Sequence, residues 1–215
     1  MRIKICGLTQ TDQAVAIANM GASVLGFICV HQSPRYVSPE TIRTISQALP
    51  PIDRFGVFAN APIEDITQIA MTGQLSGVQL HGQESPSQCQ QIRSVLPHIE
   101  LIKALRIRNS QDLEQVKTYT PYVDTFLLDA YHPHQLGGTG HTLDWETLTS
   151  FHPEKPWFLA GGLRPDNITE ALTSLAPDGI DLSSGVEHSP GNKDLKKVSQ
   201  LIAAVRTVTT SQKNR

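Results

Sequence analysis

Residues 157–187 read WFLAGGLRPDNITEALTSLAPDGIDLSSGVE. An apolar run, Trp157 to Ala160, leads straight into Gly161 and Gly162. A helical pattern over Pro165 to Leu175 follows, and a second apolar run, Ile180 to Leu182, ends in Ser183, Ser184 and Gly185. Apolar residues that follow one another, instead of alternating with polar ones, mark a strand covered on both faces. Strand, tight loop, helix, strand is the repeat of a parallel α/β sheet.

The same unit recurs back towards the N-terminus. Further strand-like runs are Ile3 to Cys6, Val24 to Val30, Arg54 to Phe58, Gly77 to Leu80, Leu101 to Ala104 and Thr125 to Asp129. Between them lie helical patterns over Thr11 to Met20, Pro62 to Met71, Ser87 to Leu96, Gln111 to Tyr119 and Asp144 to Phe151, and a last one runs from Asp194 to Val208. Ser38, Pro39 and Glu40 form a helix start: a capping hydroxyl, a proline at the first position and an acid in the first turn. Gly21 and Gly73 stand where helix stops belong. About eight strand–helix units at this length set the tempo of a single (β/α)8 TIM barrel, with a doubly wound open sheet as the alternative. No linker or composition shift divides the chain, which predicts one catalytic domain over 1–206 and a polar, frayed tail over 207–215. Residues 131–141, YHPHQLGGTGH, form a long glycine-rich loop after a strand and are expected to be a mobile loop over the site.

The chain has 215 residues, 39% hydrophobic and 18% charged, with a formal net charge of -2. That balance argues against a nucleic-acid surface or a polybasic membrane surface. No apolar run reaches the roughly 20 residues that span a bilayer. The first strand begins at Arg2 with no leader before it, so the expected location is cytoplasmic. Cys6, Cys29 and Cys89 are odd in number and lack CxxC spacing, which speaks against a disulfide framework or structural zinc. Cys29 and Cys89 read as core residues.

In a parallel barrel every strand end lies at the same mouth, where such proteins carry their sites. Cys6, His81, Lys103, Asp129, Gly161, Gly162, Asp181, Ser183 and Ser184 all fall at or just past strand ends. AGGLRP (160–165) and SSGVE (183–187) occupy the loops after strands seven and eight, the common phosphate cradle of these barrels. Glycine admits the backbone N–H groups to an anion, and serines add donors. A thiol at the mouth, Cys6, acts as a base if its pKa falls towards neutrality. Asp129, closing the apolar run FLLD, is placed to act as a general acid. Arg35 in SPRY offers a bidentate partner for a carboxylate or phosphate. His31, His132, His134 and His141 lie in mouth-side loops without the spacing of a metal site on a rigid element.

KICGLT (4–9), GFICVHQSPRYVSPE (26–40), GVFAN (56–60), VQLHGQES (78–85), LLDAY (127–131), GGTGHTLDW (137–145), LAGGLRPDNI (159–168) and DLSSGVEHSPGNKD (181–194) resemble the phosphoribosylanthranilate isomerases. The resemblance runs in order from Lys4 to Asp194. It implies the isomerase step of tryptophan biosynthesis, an Amadori-type rearrangement of N-(5-phosphoribosyl)anthranilate. It further implies Cys6 as general base and Asp129 as general acid. Arg35 would contact the anthranilate end, with His81 and Asp181 in the substrate site, and Gly161, Gly162, Ser183, Ser184 and Gly185 would hold the phosphate.

That chemistry is self-sufficient. A proton delivered to the ribose ring oxygen opens the ring to an imine, which acidifies the neighbouring C2' hydrogen for removal by a thiolate. The substrate nitrogen is the electron sink, so no cofactor and no metal are expected. The expected partner is a small phosphorylated substrate, with no nucleic acid and no membrane, acting on a monomer or homodimer. Two other readings compete. One is another phosphosugar isomerase or aldolase, for which Lys103 is the candidate Schiff-base lysine, although an ion pair suits that residue better. The other is a non-catalytic barrel that binds a phosphorylated ligand.

Overall fold

The computed structural model describes residues 1–130 and 145–213. The glycine-rich loop expected over 131–141, with His132, His134 and His141, lies outside the described residues.

Among the described residues eight strands and eight helices alternate: β1 (Arg2–Cys6), α1 (Thr11–Met20), β2 (Val24–Ile28), α2 (Pro39–Ala48), β3 (Asp53–Phe58), α3 (Ile63–Thr72), β4 (Gly77–Leu80), α4 (Pro86–Val95), β5 (Glu100–Ile107), α5 (Gln115–Tyr119), β6 (Thr125–Ala130), α6 (Glu146–Thr149), β7 (Trp157–Ala160), α7 (Ile168–Ser174), β8 (Gly179–Leu182) and α8 (Leu195–Lys213). The strands form one closed parallel barrel in sequence order. Closure is made by β8 on β1, where Lys4 stands opposite Asp181. An open doubly wound sheet has no such pairing, so that alternative falls.

Local chemistry accounts for the helix ends. Ser38 accepts the Thr41 N–H ahead of Pro39, and Ser85 with Gln88 closes a capping box on α4. Gly21 ends α1 at φ 108°. Gly73 ends α3 in a different way from the one expected. It stays right-handed, and the left-handed residue is Gln74, φ 53°. Glycine is needed at 73 for space, because a Cβ there would lie 2.8 Å from Ile42 Cγ2.

Other elements depart from the reading. The fifth helical pattern splits into a 3-10 turn over Ser110–Glu114 followed by a short α5. The seventh helix starts at Ile168 instead of Pro165, because the Asn167 side chain takes the Arg164 N–H and donates to the Gly162 carbonyl. The expected tail is helical through Lys213. Thr207, Thr209, Thr210 and Ser211 bond back to carbonyls of the preceding turn, and Val208 packs on the core. A two-stranded antiparallel pair, β9 (Glu187–Ser189) and β10 (Asn192–Lys193), follows β8 and was not foreseen.

Val24, Phe55, Ile102, Ala104, Leu127, Phe158 and Ala160 fill the barrel, and a larger apolar shell joins strands to helices. The N-terminal end of the barrel is closed by Arg2. Its guanidinium lies 5.3 Å from the ring centres of both Phe55 and Phe158 and pairs with Asp53 and Glu100. Gly77 and Gly179 leave room for those rings: a Cβ at either would come within 2.3 Å of them. The open end is therefore the mouth formed by the strand C-termini.

Candidate active site

A cavity of about 400 Å³ opens at that mouth. Cys6, Arg35, His81, Asp129, Asp181, Gly161, Gly162, Ser183, Ser184 and Gly185 all line it. Cys6 stands at the end of β1 and Asp129 near the end of β6, with β7 and β8 between them on the short way round the rim. The glycine and serine loops rise from those two intervening strands. A second cavity, of about 410 Å³, shares His81 but contains neither Cys6 nor Asp129.

Strand parity places these side chains. Residues two apart on a strand face the same way, so Lys4 shares the interior with Cys6, and Gln79 shares it with His81. Lys4 is fully buried, and its Nζ donates to Asp181 Oδ2 at 2.9 Å. The ammonium also acts electrostatically on the Cys6 sulfur, each favouring the charged form of the other. Both side chains cross Gly26, where a Cβ would lie 2.7 Å from Cys6 Sγ and 3.1 Å from Lys4 Cε. Burial pushes the Cys6 thiol up, against the downward pull of Lys4 and Lys193. The thiol is thus held above its ordinary value in the resting structure. The same burial raises Cys29 to about 12 and Cys89 to about 11, and both lie in the core as expected.

Gly7 follows Cys6 at φ 78°, and a Cβ there would lie 2.7 Å from Arg35 Cδ. Glycine thus lets the arginine pass beside β1. Arg35 itself is clamped by Glu187: Nε lies 2.9 Å from Oε1 and NH2 lies 2.6 Å from Oε2. Lys193, fully buried, adds a bond of 2.7 Å to Glu187 Oε1, and the Gly191 N–H another. Burial raises the Glu187 carboxyl, but the bonds from Arg35 and Lys193 outweigh it and hold the group below the ordinary glutamate value of 4.5.

His81 Nε2 lies 3.3 Å from Asp129 Oδ2, and the Asp129 side chain is 30% exposed. Lys103 does not reach the mouth. Ile102 and Ala104 face the barrel interior, so Lys103 points to the helix side, where Glu84 and the Gly82 carbonyl each take a 2.8 Å bond. This ion pair removes the Schiff-base reading. His31 stacks on Tyr36, with ring centres 4.2 Å apart.

In the last two loops, a Cβ on Gly185 would lie 1.9 Å from the Leu163 carbonyl oxygen, so the two loops interlock through a missing side chain. Gly161 and Gly162 have φ of 88° and 64°, and the space beside Gly162 is open.

Residues 3–204 match the family described as N-(5'-phosphoribosyl)anthranilate (PRA) isomerase. The chain belongs to the phosphoribosylanthranilate isomerase family. Relatives bearing that name include one from Acaryochloris marina, 60% identical over 97% of this chain and 99% of its own length. Another, from Rippkaea orientalis, is 60% identical over 96% of each chain. The crystal structure of the isomerase from Thermotoga maritima superposes with a TM-score of 0.89 at 37% identity, covering 96% of this chain and 99% of that one. A phosphoribosylanthranilate isomerase crystallised with reduced 1-(o-carboxyphenylamino)-1-deoxyribulose 5-phosphate superposes at 0.83, with 35% identity over 96% of this chain and 99% of that one. This chain is accordingly an isomerase with a TIM-barrel fold.

Lys4, Gln79, Glu187 and Lys193 were missed in the sequence. Parity with Cys6 and His81 could have found the first two. Glu187 meets Arg35 across 152 residues of chain, with Lys193 bonded to Glu187, and no local pattern signals those contacts.

Proposed function

We propose that Cys6 and Asp129 carry out the rearrangement of N-(5-phosphoribosyl)anthranilate to 1-(2-carboxyphenylamino)-1-deoxyribulose 5-phosphate, the isomerase step of tryptophan biosynthesis. The observation that carries this reading is that a thiol and a carboxyl group line one cavity with two glycine-rich loops on the rim between them. A substrate anchored by its phosphate over Gly161, Gly162 and Ser183 to Gly185 would present its ribose to both groups.

The proton of Asp129 passes to the ribose ring oxygen as the bond from that oxygen to C1' breaks, leaving an imine to the anthranilate nitrogen. The Cys6 thiolate then takes the C2' hydrogen, and the electron pair moves through the imine to nitrogen. The C2' hydroxyl gives its proton to the Asp129 carboxylate as the ketone forms, and C1' takes the proton held by Cys6. Both groups end as they began, and every proton is accounted for. Lys4 stabilises the thiolate as its counter-cation, and Arg35 receives the anthranilate carboxylate. The phosphate clamp supplies binding energy remote from the bond that breaks. No helix of the described residues is long and apolar enough to cross a membrane; we place the enzyme in the cytoplasm, acting on this small substrate without nucleic acid or membrane.

The test is the decrease in fluorescence of freshly made phosphoribosylanthranilate. Cys6→Ala and Asp129→Asn should each lower kcat by at least about 100-fold, the scale of a lost acid or base, while KM changes little. Full turnover in either variant removes that residue from the mechanism. Complementation of a tryptophan auxotroph lacking this step separates the isomerase from a barrel that only binds.

A further inference from the structure

Three polar side chains form a line along the cavity wall. Gln79 Nε2 lies 3.0 Å from His81 Nδ1, and His81 Nε2 lies 3.3 Å from Asp129 Oδ2. Gln79 is 1% exposed, and its Oε1 is buried without a hydrogen-bond partner among the described residues. An amide nitrogen only donates. His81 Nδ1 must therefore accept, and the ring proton sits on Nε2, directed at an Asp129 carboxylate.

The loaded pair needs a different arrangement. If Asp129 carries the proton, its O–H donates to Nε2 and the ring proton moves to Nδ1. If His81 carries it, both ring nitrogens bear hydrogen. In either case Nδ1 becomes a donor and requires an acceptor where Gln79 Nε2 now stands. Gln79 Oε1 becomes that acceptor after a half-turn of the amide. Because Oε1 engages nothing, the half-turn breaks no bond except the one it replaces.

We propose that Gln79 and His81 are positioning residues for the proton of Asp129, the Gln79 amide turning over as the Asp129–His81 pair gains and loses that proton. The proposal rests on Asp129 being the acid. In turnover the pair gives its proton to the ring oxygen, and the C2' hydroxyl returns one when the ketone forms. The side chain at 79 stays hydrogen-bonded to the ring in both states, so the imidazole does not move while its protonation changes. Among the described residues, the other charged groups around the pair are Arg106, opposite Asp129 on β5, Arg108, which lines a cavity with His81, and the Lys103–Glu84 pair behind Gly82; Lys4, Cys6, Asp181 and Arg35 lie across the cavity.

Gln79→Leu removes both amide functions and a buried orphan oxygen, so it should melt close to the wild type. Its kcat should fall about tenfold with KM within twofold. In an Asp129→Asn background the same substitution should cost nothing further. Gln79→Glu supplies only an acceptor, serves the loaded state alone and should not restore kcat. The ¹⁵N resonances of His81 should show Nδ1 unprotonated at high pH in the wild type and protonated at every pH in Gln79→Glu. A kcat unchanged in Gln79→Leu, or an equal loss in the presence and absence of Asp129, overturns the proposal. If Gln79→Leu does not fold, Nδ1 losing its proton in Gln79→Glu as it does in the wild type overturns it instead. Failure of Asp129 itself is told apart by Asp129→Asn: if that variant stays active the acid is elsewhere, and if it is inactive while Gln79→Leu turns over fully, only the amide device is wrong.

Discussion

Lys4 Nζ donates to Asp181 Oδ2 at 2.9 Å beneath the cavity at the barrel mouth, with the lysine closed to solvent and the aspartate 9% exposed. The same ammonium acts electrostatically on the Cys6 thiol, so one cation serves a carboxylate and a thiol. Asp181 Oδ1 is left buried and without a hydrogen-bond partner among the described residues.

Lys4→Met should move the pH profile. Burial raises the Cys6 thiol, so the thiolate base grows with rising pH, and kcat/KM for the free enzyme should climb on the alkaline side of neutrality. Without the ammonium the thiol rises further, and that climb should shift to higher pH. Breaking a buried pair costs roughly 3 to 5 kcal/mol, and the double variant Lys4→Met, Asp181→Asn should recover much of that stability and bring the profile part of the way back, because the Asp181 charge itself raises the thiol. A climb at the same pH in Lys4→Met would show that the lysine does not tune the sulfur.

Glu187→Gln should loosen Arg35. The charged clamp holds the guanidinium at two points, so KM should rise about tenfold with a smaller effect on kcat. Kinetics at fixed pH read this directly, and an unchanged KM would mean that Arg35 does not need its clamp.

The same residue sets an acid limit. A carboxylate whose folded pKa is depressed contributes stability that is complete above its unfolded value and disappears as pH falls through the folded one. Glu187 lies below 4.5 in the fold. The wild type should therefore lose stability progressively as the pH drops below about 4.5, and Glu187→Gln should lose less over that interval from a lower starting point. Thermal melts from pH 7 down to pH 3 compare the two slopes; parallel curves would contradict the assignment.

Gly179→Ala tests the closed end of the barrel. The added methyl meets Phe158 at 2.3 Å, an overpacking that costs about 1 to 3 kcal/mol. Denaturant midpoints should fall accordingly while kcat and KM stay within twofold, because the mouth is untouched. A large change in kcat would show that strain at one end reaches the other.

Gly185→Ala tests the mouth. Its methyl would meet the Leu163 carbonyl, a backbone atom that cannot rotate aside. The two loops must part, and KM should rise about tenfold or more. Weaker inhibition by inorganic phosphate in this variant would tie the effect to the anion site; unchanged inhibition would place the phosphate elsewhere.

Most of the fold was readable because its strands are covered on both faces, and runs such as Trp157 to Ala160 tolerate no polar residue in the middle. The exceptions were polar and interior. Lys4 carries no local mark of its role until its parity with Cys6 is counted, and Lys103 reads as a mouth residue until Ile102 and Ala104 are seen to take the inner face. Helix boundaries failed where a side chain replaced a backbone bond, as Asn167 does ahead of α7, or where back-bonding threonines extended α8. The Arg35 clamp was beyond reach, since its partners belong to a small hairpin that only the closed barrel brings near.

Arg2, wedged between Phe55 and Phe158 and tied to Asp53 and Glu100, makes the barrel a vessel with a single doorway. Substrate and product must share one route, so neither can pass while the other occupies it. Release of the ketone then competes directly with arrival of the next molecule, and accumulated product should slow the enzyme competitively, with no through-flow to relieve it.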